Sequence, residues 1–187
     1  ADLLDGKDAA DFARLSSPIV IGAAALHGTG TADEWQFSYD YVQTGNDDAV
    51  GSVLGRLVTA VDLPDGASVT GLAARVTDGS STARVSVALL RAKRDESFPE
   101  VLDGLPCRTV LSAESSLAAN PGTTTISDSV VEEACVDDPV GSFYPTSDWS
   151  LVDNSVWTYY LLVELERTGG LDQHARFLSA SIAFTGP

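Results

Sequence analysis

His27 and His174 are the only imidazoles in the chain, so proton-transfer chemistry near neutral pH would run through one of them or through a carboxylate. Serine and aspartate are abundant enough to compose a Ser/His/Asp set on paper. No Gly-x-Ser-x-Gly elbow is present, however, and neither histidine lies in a distinctive setting. The run His27-Gly28-Thr29-Gly30-Thr31 is rich in glycine but lacks the downstream glycine and the βα context of a dinucleotide loop, and no Walker lysine follows it. It reads as a turn. Glu164 and Glu166 stand two residues apart on the outward side of one strand, a placement that gives no pair of carboxyls opposed across a cleft. The expectation is a protein that is not an enzyme.

Oxygen ligands are better represented. Asn46-Asp47-Asp48, Asp137-Asp138 and Asp153-Asn154 fall in loops and offer the hard donors that suit Ca²⁺, although none forms an EF-hand. The same residues are also ordinary solvated turn formers, and both readings stay open. Apart from Ca²⁺, no cofactor is expected. Trp149 and Tyr144 are candidate sugar contacts, with Trp157, Tyr159 and Tyr160 nearby in sequence; an alternating aromatic strand also suits a core. Cys107 and Cys135 lie in no Cys-x-x-Cys or Cys/His cluster, which disfavours a metal site. Paired as a disulfide they would stabilise the fold by roughly 3 kcal/mol. Two separate buried thiols are the alternative.

Charge narrows the class of partner. Of 187 residues 27 are acidic and 11 basic, a net charge of −16 that opposes binding to nucleic acid phosphates or to an anionic membrane surface. Nineteen of the acids are aspartate, which favours turns over strands. Nine arginines against two lysines suit a GC-rich genome or a salt-adapted host. No stretch approaches the ~20 apolar residues of a membrane-spanning helix. With no methionine and a cysteine pair, the expectation is a secreted, extracellular or cell-surface protein, or a component of a virion.

The elements that would position these residues are almost all strands. Residues 1–16 read as a turn at Asp5-Gly6 and about two helical turns from Lys7 to Arg14. A helix that short is marginal alone, so Leu3, Leu4, Phe12 and Leu15 need another surface, their own sandwich or a neighbouring copy. Ser16-Ser17-Pro18 acts as a joint, since the residue before proline avoids helix. Beyond it, residues 17–187 form one β domain. Ile19 to Leu26 reads as a strand, and Trp35 to Tyr41 alternates aromatic with polar residues as a second. Val53 to Val61 is followed by a turn at Leu63-Pro64-Asp65-Gly66. Ser68 to Arg91 reads as a hairpin turning at Asp78 to Ser81, with Arg75 and Arg84 on the wet face. Thr109 to Ser112 and Thr123 to Val131 are shorter strands. Trp157 to Leu165 and Leu178 to Phe184 form a closing pair. About nine strands with few helical patterns predict an all-β, two-sheet antiparallel sandwich or jelly roll with a short N-terminal helical segment.

Two stretches resemble known families. Leu4-Asp5-Gly6-Lys7-Asp8-Ala9-Ala10-Asp11-Phe12 is similar to the LDG-x-x-A/S-x-x-F element of bacterial surface and phage tail-fibre-like proteins. Leu63-Pro64-Asp65-Gly66-Ala67-Ser68-Val69-Thr70 resembles a strand-entry motif of secreted bacterial β-sandwich domains. In that family a later V-D-N-S-x-Y-x-Y-Y-L-x-V strand occurs, matched here by Val152 to Val163, and Arg176 to Phe184 echoes its last strand. The resemblance implies a surface location and a sandwich, and carries over no catalytic residue. The function expected is a non-enzymatic structural or adhesive module of a surface appendage or fibre, with itself as partner. The alternative is a ligand-binding module, for carbohydrate or calcium-dependent adhesion, including a phage receptor-binding tip. Its loops 45–52, 92–106 and 136–153 would then meet the ligand, a cell-surface glycan among the candidates.

Overall fold

The computed structural model describes residues 17–29, 35–38, 40–44, 52–78, 83–93, 109–114, 122–130, 149–168 and 174–186. Within them are eleven strands and one 3-10 turn: β1 (Ile19–Gly22), the turn Ala23–Ala25, β2 (His27–Gly28), β3 (Trp35–Phe37), β4 (Val42–Thr44), β5 (Ser52–Val61), β6 (Ser68–Asp78), β7 (Ala83–Lys93), β8 (Thr109–Glu114), β9 (Gly122–Asp128), β10 (Trp157–Thr168) and β11 (Ala175–Thr185). All pairings are antiparallel. One sheet has the order β3-β4-β11-β6-β9, with β1 also on β11; the other has the order β2-β5-β10-β7-β8. The expected two-sheet all-β fold is therefore present.

The core lies between the sheets and follows the two-residue period of the strands. From the six-stranded sheet Val42, Leu72, Ala74, Val76, Phe177 and Ile182 point inward. Leu57, Val85, Val87, Leu89, Leu161 and Val163 meet them from the five-stranded sheet, all fully or almost fully buried. Each of the buried valines, leucines, isoleucines and phenylalanines contributes about 1.5–3 kcal/mol relative to exposure. Burial of the inner face gives the long strands their alternation, which β7 and β10 interrupt where Leu90, Ala92 and Leu162 are buried on the outer side of the five-stranded sheet.

Four sequence expectations are corrected here. Ser68 to Arg91 is not a hairpin within one sheet. β6 pairs with β11 and β9, whereas β7 pairs with β10 and β8, so the chain crosses from one sheet to the other between them. Alternation fixes which face is buried but is silent about the partner, and two strands facing a core from opposite sides carry the same pattern as two strands side by side. The closing pair behaves alike, with β10 and β11 in opposite sheets. Ile19 to Leu26 is not one strand: Gly22 leads into the Ala23–Ala25 turn, which transfers the chain from β1 in one sheet to β2 in the other. Trp35 to Tyr41 is not one strand either. The amide of Ser38 donates to the carbonyl of Tyr41 at 2.9 Å, and β3 folds back on β4 with Gln36 opposite Gln43.

A register shift in β11 between Phe177 and Ser179 refines the last strand. Phe177, Ala180, Ile182 and Phe184 face the core, and Leu178, which strict alternation would have placed inward, is the extra residue of the irregularity. Outward orientation of Arg75 and Arg84 holds as expected. The candidate positions Leu3, Leu4, Phe12, Leu15, Asp47, Asp48, Cys107, Cys135, Asp137, Asp138 and Tyr144 lie outside the described residues.

Candidate functional site

The two motifs separated by almost ninety residues, Leu63–Thr70 and Val152–Val163, are in contact. Pro64-Asp65-Gly66-Ala67 forms a tight turn closed by the amide of Ala67 donating to Pro64 O at 3.1 Å, and Gly66 adopts φ of +76°, a conformation costly for other residues. The segment before β10 lies antiparallel to this turn. Gly66 N donates to Val152 O at 2.8 Å, Val152 N to Ala67 O at 2.8 Å, and Val69 N to Ser150 O at 2.8 Å. Asn154 completes the clasp: its amide donates to Asp65 Oδ1 at 2.7 Å and its side-chain amide to Leu63 O at 2.8 Å.

Asp153 belongs to this clasp. Its Oδ1 accepts from both the amide (3.0 Å) and the hydroxyl (2.5 Å) of Ser155, and the Ser155 hydroxyl, the largest influence, holds its carboxyl below the usual aspartate range. Its backbone amide donates to the Tyr159 hydroxyl at 3.1 Å. Burial pushes the Tyr159 phenol up, so it stays protonated while it receives that bond. Asp153 thus organises its own turn. Among the described residues no three His, Cys, Asp or Glu groups gather closely enough to hold a metal ion.

Trp149 takes a different place from the one expected of a sugar contact. It is 6% exposed, and the guanidinium of Arg91 lies 3.6 Å from its ring centroid and 4.4 Å from that of Trp157. Arg91 continues the inward parity of Val85, Val87 and Leu89, so its charge enters the sandwich and is received by two indole faces, an arrangement worth about 2 kcal/mol when desolvated. Both tryptophans are spent on the scaffold. The signal was legible as the parity of Arg91 but carries no hint of which rings it meets.

A set of polar side chains, exposed or partly exposed apart from the buried Gln43, converges on the outer face of the six-stranded sheet. Register aligns Gln36, Gln43, Arg176, Thr77 and Thr123 in one row across β3, β4, β11, β6 and β9. Gln43 Nε2 donates to Gln36 Oε1 at 3.2 Å, Arg176 Nε donates to Gln43 Oε1 at 2.9 Å, and the hydroxyls of Thr77 and Thr123 are 3.0 Å apart. The Arg176 guanidinium lies over the Tyr41 ring at 4.9 Å. Next to this row stands exposed Arg75, and beyond it the residues are small. Gly71, Ala73, Ser127, Ser181 and Ala183 line a shallow cleft of about 360 Å³ with Asp128 at its edge. Both Asp128 oxygens are already engaged, by Val130 N at 2.9 Å and Ser112 N at 3.1 Å.

Gln36 and Thr77 are polar positions of alternating stretches, which the sequence shows. That the five strands are neighbours, in this register, it does not. Glu164 and Glu166, as expected, lie on the outer side of β10. Arg56 Nε meets Glu164 at 2.8 Å and Arg84 Nε meets Glu166 at 4.0 Å on the outer face of the five-stranded sheet.

No family model matches the chain, and no curated protein matches it. Several solved structures are similar. A family two carbohydrate esterase from Cellvibrio japonicus is 9% identical over 91% of this chain and 35% of that chain, with a TM-score of 0.42. This chain therefore spans about a third of the esterase's length. The xylan-binding module CBM15 is 15% identical, over 90% of this chain and 96% of its own, at a TM-score of 0.44. TmCBM61 in complex with beta-1,4-galactotriose is 10% identical, over 95% and 93%, at 0.39. At these scores the likeness assigns nothing to this chain.

Proposed function

We propose that the chain is a non-catalytic, extracellular glycan-binding module whose contact surface is the outer face of the six-stranded sheet. The observation that carries this is the row Gln36–Gln43–Arg176–Thr77–Thr123. Neighbouring strands lie roughly 4.8 Å apart, about the length of one sugar ring, so five strands set amide, guanidinium and hydroxyl groups along roughly 19 Å. Such a ladder of donors and acceptors matches the hydroxyls of an extended saccharide. The hydrogen bonds within it hold Gln43 and Arg176 in place before any ligand arrives, which lowers the ordering cost of binding. Small residues alongside leave the cleft open to a ring.

The test is a glycan array followed by calorimetry with the best ligand. Gln43→Ala, which removes the group that joins Gln36 to Arg176, is expected to weaken binding about tenfold, a change of about 1.4 kcal/mol. A blank array, or wild-type affinity in Gln43→Ala, would refute the reading. The fibre-subunit reading of residues 1–16 is a separate proposal. Its test is the mass in solution of the whole chain against a chain lacking residues 1–16, and equal assembly by both would end it.

A further inference from the structure

We infer that the saccharide taken by this face is acidic, and that Arg176 together with Arg75 reads its carboxylate. The inference rests on the glycan-binding reading and names the class of sugar. Arg176 is aimed rather than loose. Its Nε is committed to Gln43 Oε1 at 2.9 Å, and Gln43, only 8% exposed, is itself fixed by Gln36. The Tyr41 ring supports the guanidinium on one side. This leaves the two Nη groups as a planar edge, the geometry that grips a carboxylate through two parallel hydrogen bonds.

Arg75 stands diagonally from Arg176 on the adjacent strand, one residue pair along from Thr77, a separation of roughly 7–8 Å. Among the described residues neither arginine has a carboxylate partner. The chain is otherwise heavily acidic, at −16, so two arginines on this face stand out chemically; Asp128, in register with buried Leu72, turns its carboxylate to the backbone amides of Ser112 and Val130. Screening confines charge effects to about 8 Å at physiological salt, so the local pair and not the net charge decides what this face attracts. On the opposite sheet the two described outward arginines, Arg56 and Arg84, are each met by a glutamate, which shows what arginines used for stability look like in the same chain.

The experiment uses the full chain and three probes, polygalacturonate, hyaluronate and polysialic acid, each beside its carboxyl-reduced form. A charged hydrogen-bonded contact is worth about 1.5–3 kcal/mol, roughly a 10- to 100-fold effect. At least one acidic probe is expected to bind that much more tightly than its reduced form, with binding that weakens as salt rises. Arg176→Gln is expected to abolish the preference, and Arg56→Gln on the other sheet to leave it intact. Should Arg176→Gln fold poorly, Arg75→Gln, at an exposed position, is expected to reduce the preference severalfold. Equal binding of acidic and reduced forms would overturn the inference while leaving the glycan-binding reading standing. Binding of neutral glycans from the array with no acidic probe bound would do the same. No binding of any glycan would overturn both.

Discussion

The two outer faces of the sandwich are built from the same kind of strand and each carries two outward arginines among the described residues, yet their charges are handled differently. On the five-stranded sheet Arg56 and Arg84 lie against Glu164 and Glu166, and farther along the same face Leu90, Ala92 and Leu162 form a buried apolar cluster with Ala88 and Tyr160. Charge is neutralised and apolar surface is withdrawn from water. The six-stranded sheet has no such cluster among its described outward residues. It carries hydroxyls, amides, small side chains and two arginines that no described carboxylate answers. A face optimised for stability would pair its charges. One that leaves an oriented guanidinium open retains hydrogen-bonding capacity for something else.

Leu90→Ala tests the stabilising face most severely. Leu90 is fully buried, so the truncation is expected to cost about 2–5 kcal/mol in chemical denaturation, whereas Thr77→Ala on the other face should stay within about 0.5 kcal/mol. Similar losses at both positions would erase the contrast. A sharper probe of the proposed binding face is Ala73→Glu. This adds a carboxylate beside the cleft and is expected to weaken an acidic glycan about fivefold, close to 1 kcal/mol, with the melting temperature little changed. Unchanged affinity would place the ligand elsewhere.

Smaller effects belong to the paired charges. A double-mutant cycle on Arg56 and Glu164, both partly exposed, should give a coupling of about 0.2–1 kcal/mol that fades with salt. Removing Arg75 should leave stability unchanged within about 0.5 kcal/mol. The smallest effect concerns the clasp at the end of the sandwich. The carboxyl of Asp153 is held below its ordinary value by Ser155, so its contribution is complete above the unfolded value of about 3.9 and is lost as pH falls through the depressed folded one. In acid melts below about pH 4, Ser155→Ala is therefore expected to lose less stability per pH unit than the parent; identical acid limbs would show that the hydroxyl does not act through Asp153.

The strands were legible because one buried face imposes period two: Val85, Val87 and Leu89, or Trp157, Tyr159 and Leu161, announce their inner side without any partner. The turn at Leu63–Gly66 was equally plain, since only glycine takes the φ of +76° found at Gly66 at low cost. Trp149 shows the limit. As an aromatic residue in a loop it suggested a sugar contact, but its partner Arg91 lies far away in the sequence and only the fold stacks them. The candidate site was missed for the same reason. Gln36, Gln43, Arg176, Thr77 and Thr123 are unremarkable alone.

The sequence by itself determined an all-β sandwich, the buried parity of its long strands, its acidic charge and its tight turns, because these follow from local conformational preference and from the alternation that burying one sheet face demands. Tertiary structure alone decided which strands neighbour which. β6 and β7, adjacent in the chain, sit in opposite sheets, while β11 lies between β4 and β6. Strand order depends on how two sheets close over a common core, a property of the whole chain that no local pattern encodes. The row of polar groups across five strands exists only once that order is set.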